Sequence, residues 1–159
     1  MKFYTSYFYQ IRFMPPYVIP LSTAIWPPKW YNNFKGKGYQ FVDKRGVING
    51  ISITPLEPGE ACEGLCYGSN KCATKDPNTC KFLQTYYKQL SELNFLEIME
   101  RFDTLGTQVK NYLGFEEEPE FALIFCETPT NPCSERWAVQ KWFRENGVEI
   151  KEWNKDERK

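Results

Sequence analysis

The segment from Phe121 to Trp153 restricts the fold of this chain more than any other. Phe121-Ala122-Leu123-Ile124-Phe125-Cys126 is an unbroken apolar run. It is too short for a free helix and has the character of a strand covered on both faces. Glu127 closes the run, and Thr128-Pro129-Thr130 supply a turn. Asn131-Pro132 then predicts a helix start, with Asn as N-cap and Pro at the first helical position. Ala138, Val139, Trp142 and Phe143 recur at one-turn spacing and form its core-facing stripe. Asn146-Gly147 ends the helix, and Val148 to Trp153 reads as another strand. Strand, helix and strand make a βαβ unit, so the predicted class is α/β: three-layer and Rossmann-like, with a mostly parallel sheet of about four to five strands. Ligands in such folds bind at the carboxyl ends of the strands. Glu127, Cys133, Ser134 and Arg136 fall at that edge.

Arg136 stands seven residues before Phe143, two helical turns along the same face. That phase turns its guanidinium toward the sheet, and Glu127 is the nearest carboxylate the sequence implies. One reading is a structural Glu127–Arg136 pair that ties helix to strand. The other is a catalytic or binding pair beside an anion site made by free N–H groups at the Asn131–Ser134 helix start. Cys126 reads as a small buried strand residue. Cys133, at the helix start near Arg136, is either an ordinary first-turn residue or a thiolate nucleophile.

The chain contains no histidine among its 159 residues. Ser-His-Asp and Cys-His nucleophile pairs are therefore excluded, as are mixed Cys/His zinc sites. Acid–base work falls to Glu, Asp, Lys, Tyr or Cys. No apolar run approaches the roughly 18 residues of a membrane span. The aromatic and polar start, Met1 to Phe8, does not read as a signal peptide. A cytoplasmic location is the expectation, with cysteines reduced or metal-bound.

Cys62, Cys66, Cys72 and Cys80 lie in C-x3-C-x5-C-x7-C order. Four thiolates close a tetrahedral zinc site, and a segment so poor in apolar residues needs a staple. An iron–sulfur cluster uses the same ligands, and thiols that are free or oxidised in pairs remain the metal-free alternative. Four protein ligands leave no open position for water, so the role expected of the metal is structural.

The remaining elements are read from pattern. Lys2 to Phe8 and Tyr17 to Ala24 are strands, joined by a Pro-broken connector from Gln10 to Pro16. Ile25 to Gly50 is a long loop dense in aromatics, with a short β segment at Tyr39 to Asp43. Residues 55–80 form a cysteine-rich insertion in a single domain spanning 1–159. A helix starts at Asp76-Pro77 and carries Phe82, Leu83, Tyr86, Tyr87, Leu90 and Leu93. Another starts at Phe95, carries Ile98, Met99, Phe102, Leu105 and Val109, and ends at Gly114. Residues 154–159 are a charged, frayed tail. The net charge of zero hides an asymmetry: residues 1–60 hold seven Lys or Arg against three acids. Interleaved with Trp26, Trp30, Tyr31 and Phe34, those cations suit base stacking and phosphate contact, or simply a solvated loop surface.

Tyr4-Thr5-Ser6-Tyr7-Phe8, Pro27-Pro28-Lys29-Trp30 and the Glu127…Cys133-Ser134-Glu135-Arg136 segment together resemble domain-of-unknown-function family 488. Members carry a strand ending in Cys-x-Glu or similar, followed by Cys-His-Arg at a helix start. Glu127 and Arg136 match the glutamate and arginine. Glu135 stands where histidine is usual and Ser134 where cysteine is usual, with Cys133 one residue earlier. The resemblance implies a link to nucleotide or nucleic-acid metabolism.

Two functions follow as expectations. The first is an enzyme acting on a nucleotide, nucleoside or nucleic-acid base. Glu127, Arg136 and Ser134 are its catalytic candidates, and Thr5, Ser6, Lys29, Trp30, Asn131 and Cys133 complete its pocket. The second is a non-catalytic module, phage- or defence-related, that grips nucleotide or nucleic acid through the basic aromatic loop.

Overall fold

The computed structural model describes residues 1–32, 50–65 and 76–155. Its centre is a four-stranded sheet in the order β2-β3-β1-β4, every pairing parallel. The strands are β1 (Lys2–Tyr7), β2 (Val18–Ser22), β3 (Glu120–Phe125) and β4 (Ile150–Glu152). The helices are α1 (Lys29–Asn32), α2 (Lys81–Ser91), α3 (Phe95–Leu113) and α4 (Arg136–Glu145). The class is α/β, as the βαβ pattern of the last forty residues requires.

The two faces of the sheet are covered unequally. On one face Phe3, Leu21, Phe121, Leu123 and Phe125 join a core supplied by all three long helices. Rings of Phe3, Phe102, Phe121 and Phe143 meet there, with centroids 5.1 Å apart for Phe102–Phe121 and 5.3 Å for Phe3–Phe143. Such pairs add about 0.5–1.5 kcal/mol each beyond area burial. At Gly106 a Cβ would come within 2.9 Å of the Phe121 ring, so glycine sets how closely α3 approaches β3. The other face packs Tyr4, Val18, Ala122 and Ile124 against Phe8, Ile11, Met14 and Tyr31. Among the described residues its cover is thin: a 3-10 helix, Phe8–Phe13, and the one-turn α1. The sequence predicts a Pro-broken connector in the first place and a long loop in the second. Tyr31 is fully buried, its hydroxyl set between the carbonyls of Pro20 and Ile51. Pro20 has no N–H to give a ladder, and it sits in an edge strand, where that loss is tolerated.

Handedness explains the asymmetry. The β1-to-β2 crossover steps one way over β3 on the thin face, while α2 and α3, between β2 and β3, and α4, between β3 and β4, pack on the thick face as the chain steps the opposite way. Reversing both direction and face keeps the hand. The same geometry makes the chain leave β1 and β3, which are neighbours, toward opposite faces. Their carboxyl ends, Tyr7 beside Phe125, bound a topological switch point.

Two helix starts differ from expectation for one reason. Asp76 Oδ1 accepts from the Asn78 N–H at 3.0 Å, and Asn131 Oδ1 from the Cys133 N–H at 2.9 Å. Both side chains close local turns that compete with helix. The helices accordingly begin at Lys81 and Arg136, with Cys80 and Glu135 as their N-cap residues. Gly114 ends α3 in the left-handed conformation, φ 79°, as its position predicts. No helix among the described residues is long and apolar enough to cross a membrane. The expected strand at Tyr39 to Asp43 and the tail beyond Lys155 lie outside the described residues.

Candidate active site at the carboxyl edge of the sheet

Arg136 opens α4 and is only 6% exposed. Its Nε donates to Glu152 Oε1 at 2.9 Å, an ion pair. Nη1 donates to Ser134 Oγ at 2.9 Å. Nη2 donates to the carbonyls of Glu127 at 2.8 Å and Ser6 at 3.3 Å, so one nitrogen bridges the ends of β3 and β1. The helix phase read from Phe143 therefore delivers the guanidinium to the switch point. Its ion-pair partner is corrected: Glu152 takes that place, and Glu127 meets Arg136 through its backbone carbonyl. The reason is tertiary. Glu152 follows Ile150 by two residues and so shares its sheet face, and β4 pairs directly with β1.

The hydroxyls around this arginine are tightly tied. Ser134 Oγ also donates to Glu127 Oε2 at 3.3 Å. Thr5 is wholly buried; its hydroxyl donates to Glu152 Oε1 at 2.8 Å and accepts from Gln140 Nε2 at 2.8 Å. Ser6, equally buried, donates to the Trp153 carbonyl at 3.2 Å. The sequence places both in a ligand pocket; Thr5 reaches the site through Glu152, and Ser6 only through its backbone carbonyl. Asn131 and Cys133 belong to the turn before α4, Cys133 being buried in the apolar core. The helix N–H groups expected at Asn131–Ser134 are not there, because the helix starts later. Cys126 is exposed, not buried, since β3 ends one residue before it.

Two residues the sequence passed over complete the cluster. Glu152 was legible in principle from the two-residue period of its strand. Glu135 carried no such signal. It is 7% exposed. Burial, reinforced by the charge of Glu127 and only partly offset by Arg136, pushes it up to about 8. Glu127 is raised too, by burial, against the opposing pull of backbone hydrogen bonding, Arg136 and Ser134. Glu152 moves the same way, burial outweighing Arg136 and Thr5. The charge of Glu127 thus opposes ionisation of Glu135.

Cys62, the first of the four clustered cysteines, interacts electrostatically with this site. Cys62 and Cys80 are both buried in the main core. Burial raises the Cys62 thiol, and the charge of Glu135 adds to that shift. Tyr86 of α2 is raised by burial and again by Glu135, its hydroxyl bonded to the Leu56 carbonyl at 2.5 Å. Cys66 and Cys72 lie outside the described residues. Among the described residues no three Cys, Asp or Glu side chains converge as metal ligands. On the thin face, Trp30 is 43% exposed, edge-on to Phe8 at 6.3 Å, and Trp26 is 85% exposed. Lys29 is the first residue of α1. A groove of about 460 Å³ lies at the opposite, amino end of the sheet, lined in part by Lys2, Arg144, Glu149 and Lys151. None of the described candidate residues lines it.

No family model matches the chain, and no curated protein or solved structure matches it either.

Proposed function

We propose that the chain is an enzyme acting on a nucleotide, nucleoside or nucleic-acid base by acid–base chemistry at the carboxyl edge of the sheet. The observation that carries this is the Glu127–Glu135 carboxyl pair at the switch point, beside an arginine whose ion pair goes to a third carboxylate. In this reading Glu135 donates a proton and Glu127 accepts one. Ser134 and Arg136 hold Glu127 in place. The substrate class rests on the resemblance to domain-of-unknown-function family 488. Mass spectrometry of metabolites retained by the purified protein supplies the test, followed by product formation from those metabolites. Glu127→Gln and Glu135→Gln should each lower turnover by about 100-fold or more while the protein stays folded. Unchanged turnover in both variants would remove the acid–base pair from the reading.

A structural zinc ion on Cys62, Cys66, Cys72 and Cys80 belongs to the same proposal, with an iron–sulfur cluster as the alternative. Its support is that the first and last of the four are buried in one core, neither of them in a disulfide. About one zinc per chain and loss of cooperative melting on chelation are expected. A metal-free preparation that melts like the native protein would sink it, and a brown colour would favour iron–sulfur.

A specific observation favours a second reading, the non-catalytic nucleotide- or nucleic-acid-binding module: Trp26 and Trp30 are exposed beside the run Pro27-Pro28-Lys29. Trp30→Ala and Lys29→Ala should then weaken binding of single-stranded nucleic acid without unfolding the protein.

A further inference from the structure

The exposed aromatic surface extends past Trp26 and Trp30 onto the 3-10 helix that follows β1. Trp30 stands edge-on to Phe8, ring centroids 6.3 Å apart, and that contact sets α1 against Phe8–Phe13. Tyr9, the next residue, is 53% exposed, and the exposed Arg12 lies over its ring, 4.2 Å from the centroid. Arg12 Nε donates to the Tyr9 carbonyl at 3.0 Å, which holds the guanidinium in that stacked position. Three residues per turn put Tyr9 and Arg12 in one row, apart from the buried Phe8 and Ile11. Further along the helix, Lys155 lies over the Phe13 ring at 5.1 Å. No Asp or Glu occurs in the chain before Asp43, so neither the 3-10 helix nor α1 carries an opposing charge.

Gln10 adds an unfilled acceptor on the same helix. Its Nε2 donates to the Tyr7 hydroxyl at 2.9 Å, while its buried Oε1 has no hydrogen-bond partner among the described residues. A buried acceptor left unpaired is costly to keep, and an N–H carried by a ligand is what it lacks. Exposed rings, a stacked guanidinium and an acid-free stretch of chain suit one class of partner. Unpaired bases offer π-faces to the rings and phosphates to the cation, whereas a duplex keeps its bases stacked on one another.

Resting on the binding-module reading above, we propose that Tyr9 and Arg12 belong to a site for single-stranded nucleic acid, Tyr9 stacking a base and Arg12 contacting the backbone phosphate, on the surface that also carries Trp30.

The experiment is fluorescence anisotropy with a labelled oligothymidylate of about twelve nucleotides, single-stranded or annealed to its complement, between about 50 and 200 mM salt. The single strand should bind at least about tenfold more tightly than the duplex. Tyr9→Ala should weaken strand binding at least about fivefold, and Tyr9→Phe, which keeps the ring, should bind like the native protein. Arg12→Gln should lower the slope of log affinity against log salt by about 0.7, the share of one phosphate contact on a single strand. Arg12→Lys should restore that slope. If Tyr9→Ala fails to fold, the salt slopes of the two Arg12 variants decide alone. Native-like strand binding by folded Tyr9→Ala, an unchanged slope in Arg12→Gln, or a duplex bound as tightly as the strand overturns this inference and leaves the binding reading standing. No binding of either oligonucleotide form overturns both.

Discussion

Along one face of the sheet, two regions a few residues apart obey opposite rules. Phe3 is followed by Thr5 and Ile150 by Glu152, each pair on the same side of its strand, and Glu127 lies two residues past the end of β3. On α4, Phe143 and Arg136 repeat the contrast two turns apart. A step of two residues, about 7 Å, therefore leads from interlocked phenylalanines to a knot of one arginine and three carboxyls. The aromatic half stabilises by removing area from water and needs no particular charge state. The polar half must offset the desolvation of every ion it holds. The comparison teaches that the first region accounts for the fold. The second persists at a cost in stability, which is the usual mark of chemistry.

The largest expected effect lies in the aromatic half. Phe102→Ala removes a ring that touches both Phe3 and Phe121. It should cost about 3–5 kcal/mol in chemical denaturation. That loss should be the same at pH 5.5 and pH 8.5, and a pH-dependent loss would break the contrast between the regions.

Arg136→Met should come next, at about 3 kcal/mol, because it leaves Glu152 half-buried without its cation. Glu152→Gln on that background should recover much of the loss; Glu127→Gln should recover little, since Arg136 holds Glu127 by its carbonyl. The reverse pattern in a double-mutant cycle would restore Glu127 as the arginine's ionic partner.

The smallest effect sharpens the comparison most. Glu135, raised from 4.5 to about 8 on folding, stabilises the fold fully below pH 4.5, and that contribution is lost as pH rises toward 8. Glu127 and Glu152 are shifted in the same direction. Native protein should therefore melt lower at pH 8.5 than at pH 5.5. Glu135→Gln should flatten that slope and raise stability at pH 8.5 by roughly 1–3 kcal/mol. Identical pH profiles for the two proteins would mean that Glu135 ionises freely.

Much of this architecture was written in local pattern. The apolar run at Phe121 fixed a buried central strand, and the stripe from Ala138 to Phe143 fixed α4 and the phase of Arg136. Gly114 and Asn146-Gly147 fixed the ends of α3 and α4. These signals are legible because periodicity and capping are properties of a few neighbouring residues. α2 and α4 each start four residues after the Asp-Pro and Asn-Pro signals, since Asp76 and Asn131 close local turns as readily as they cap helices. Tertiary structure alone decided which carboxylate Arg136 pairs with, because that depends on β4 lying beside β1. It alone decided that Thr5 and Ser6 face inward and that Cys126 faces water. It alone made Glu135 exceptional: its ionisation is set by burial and by Glu127, eight positions away along the chain, and no spacing of residue types encodes the local dielectric.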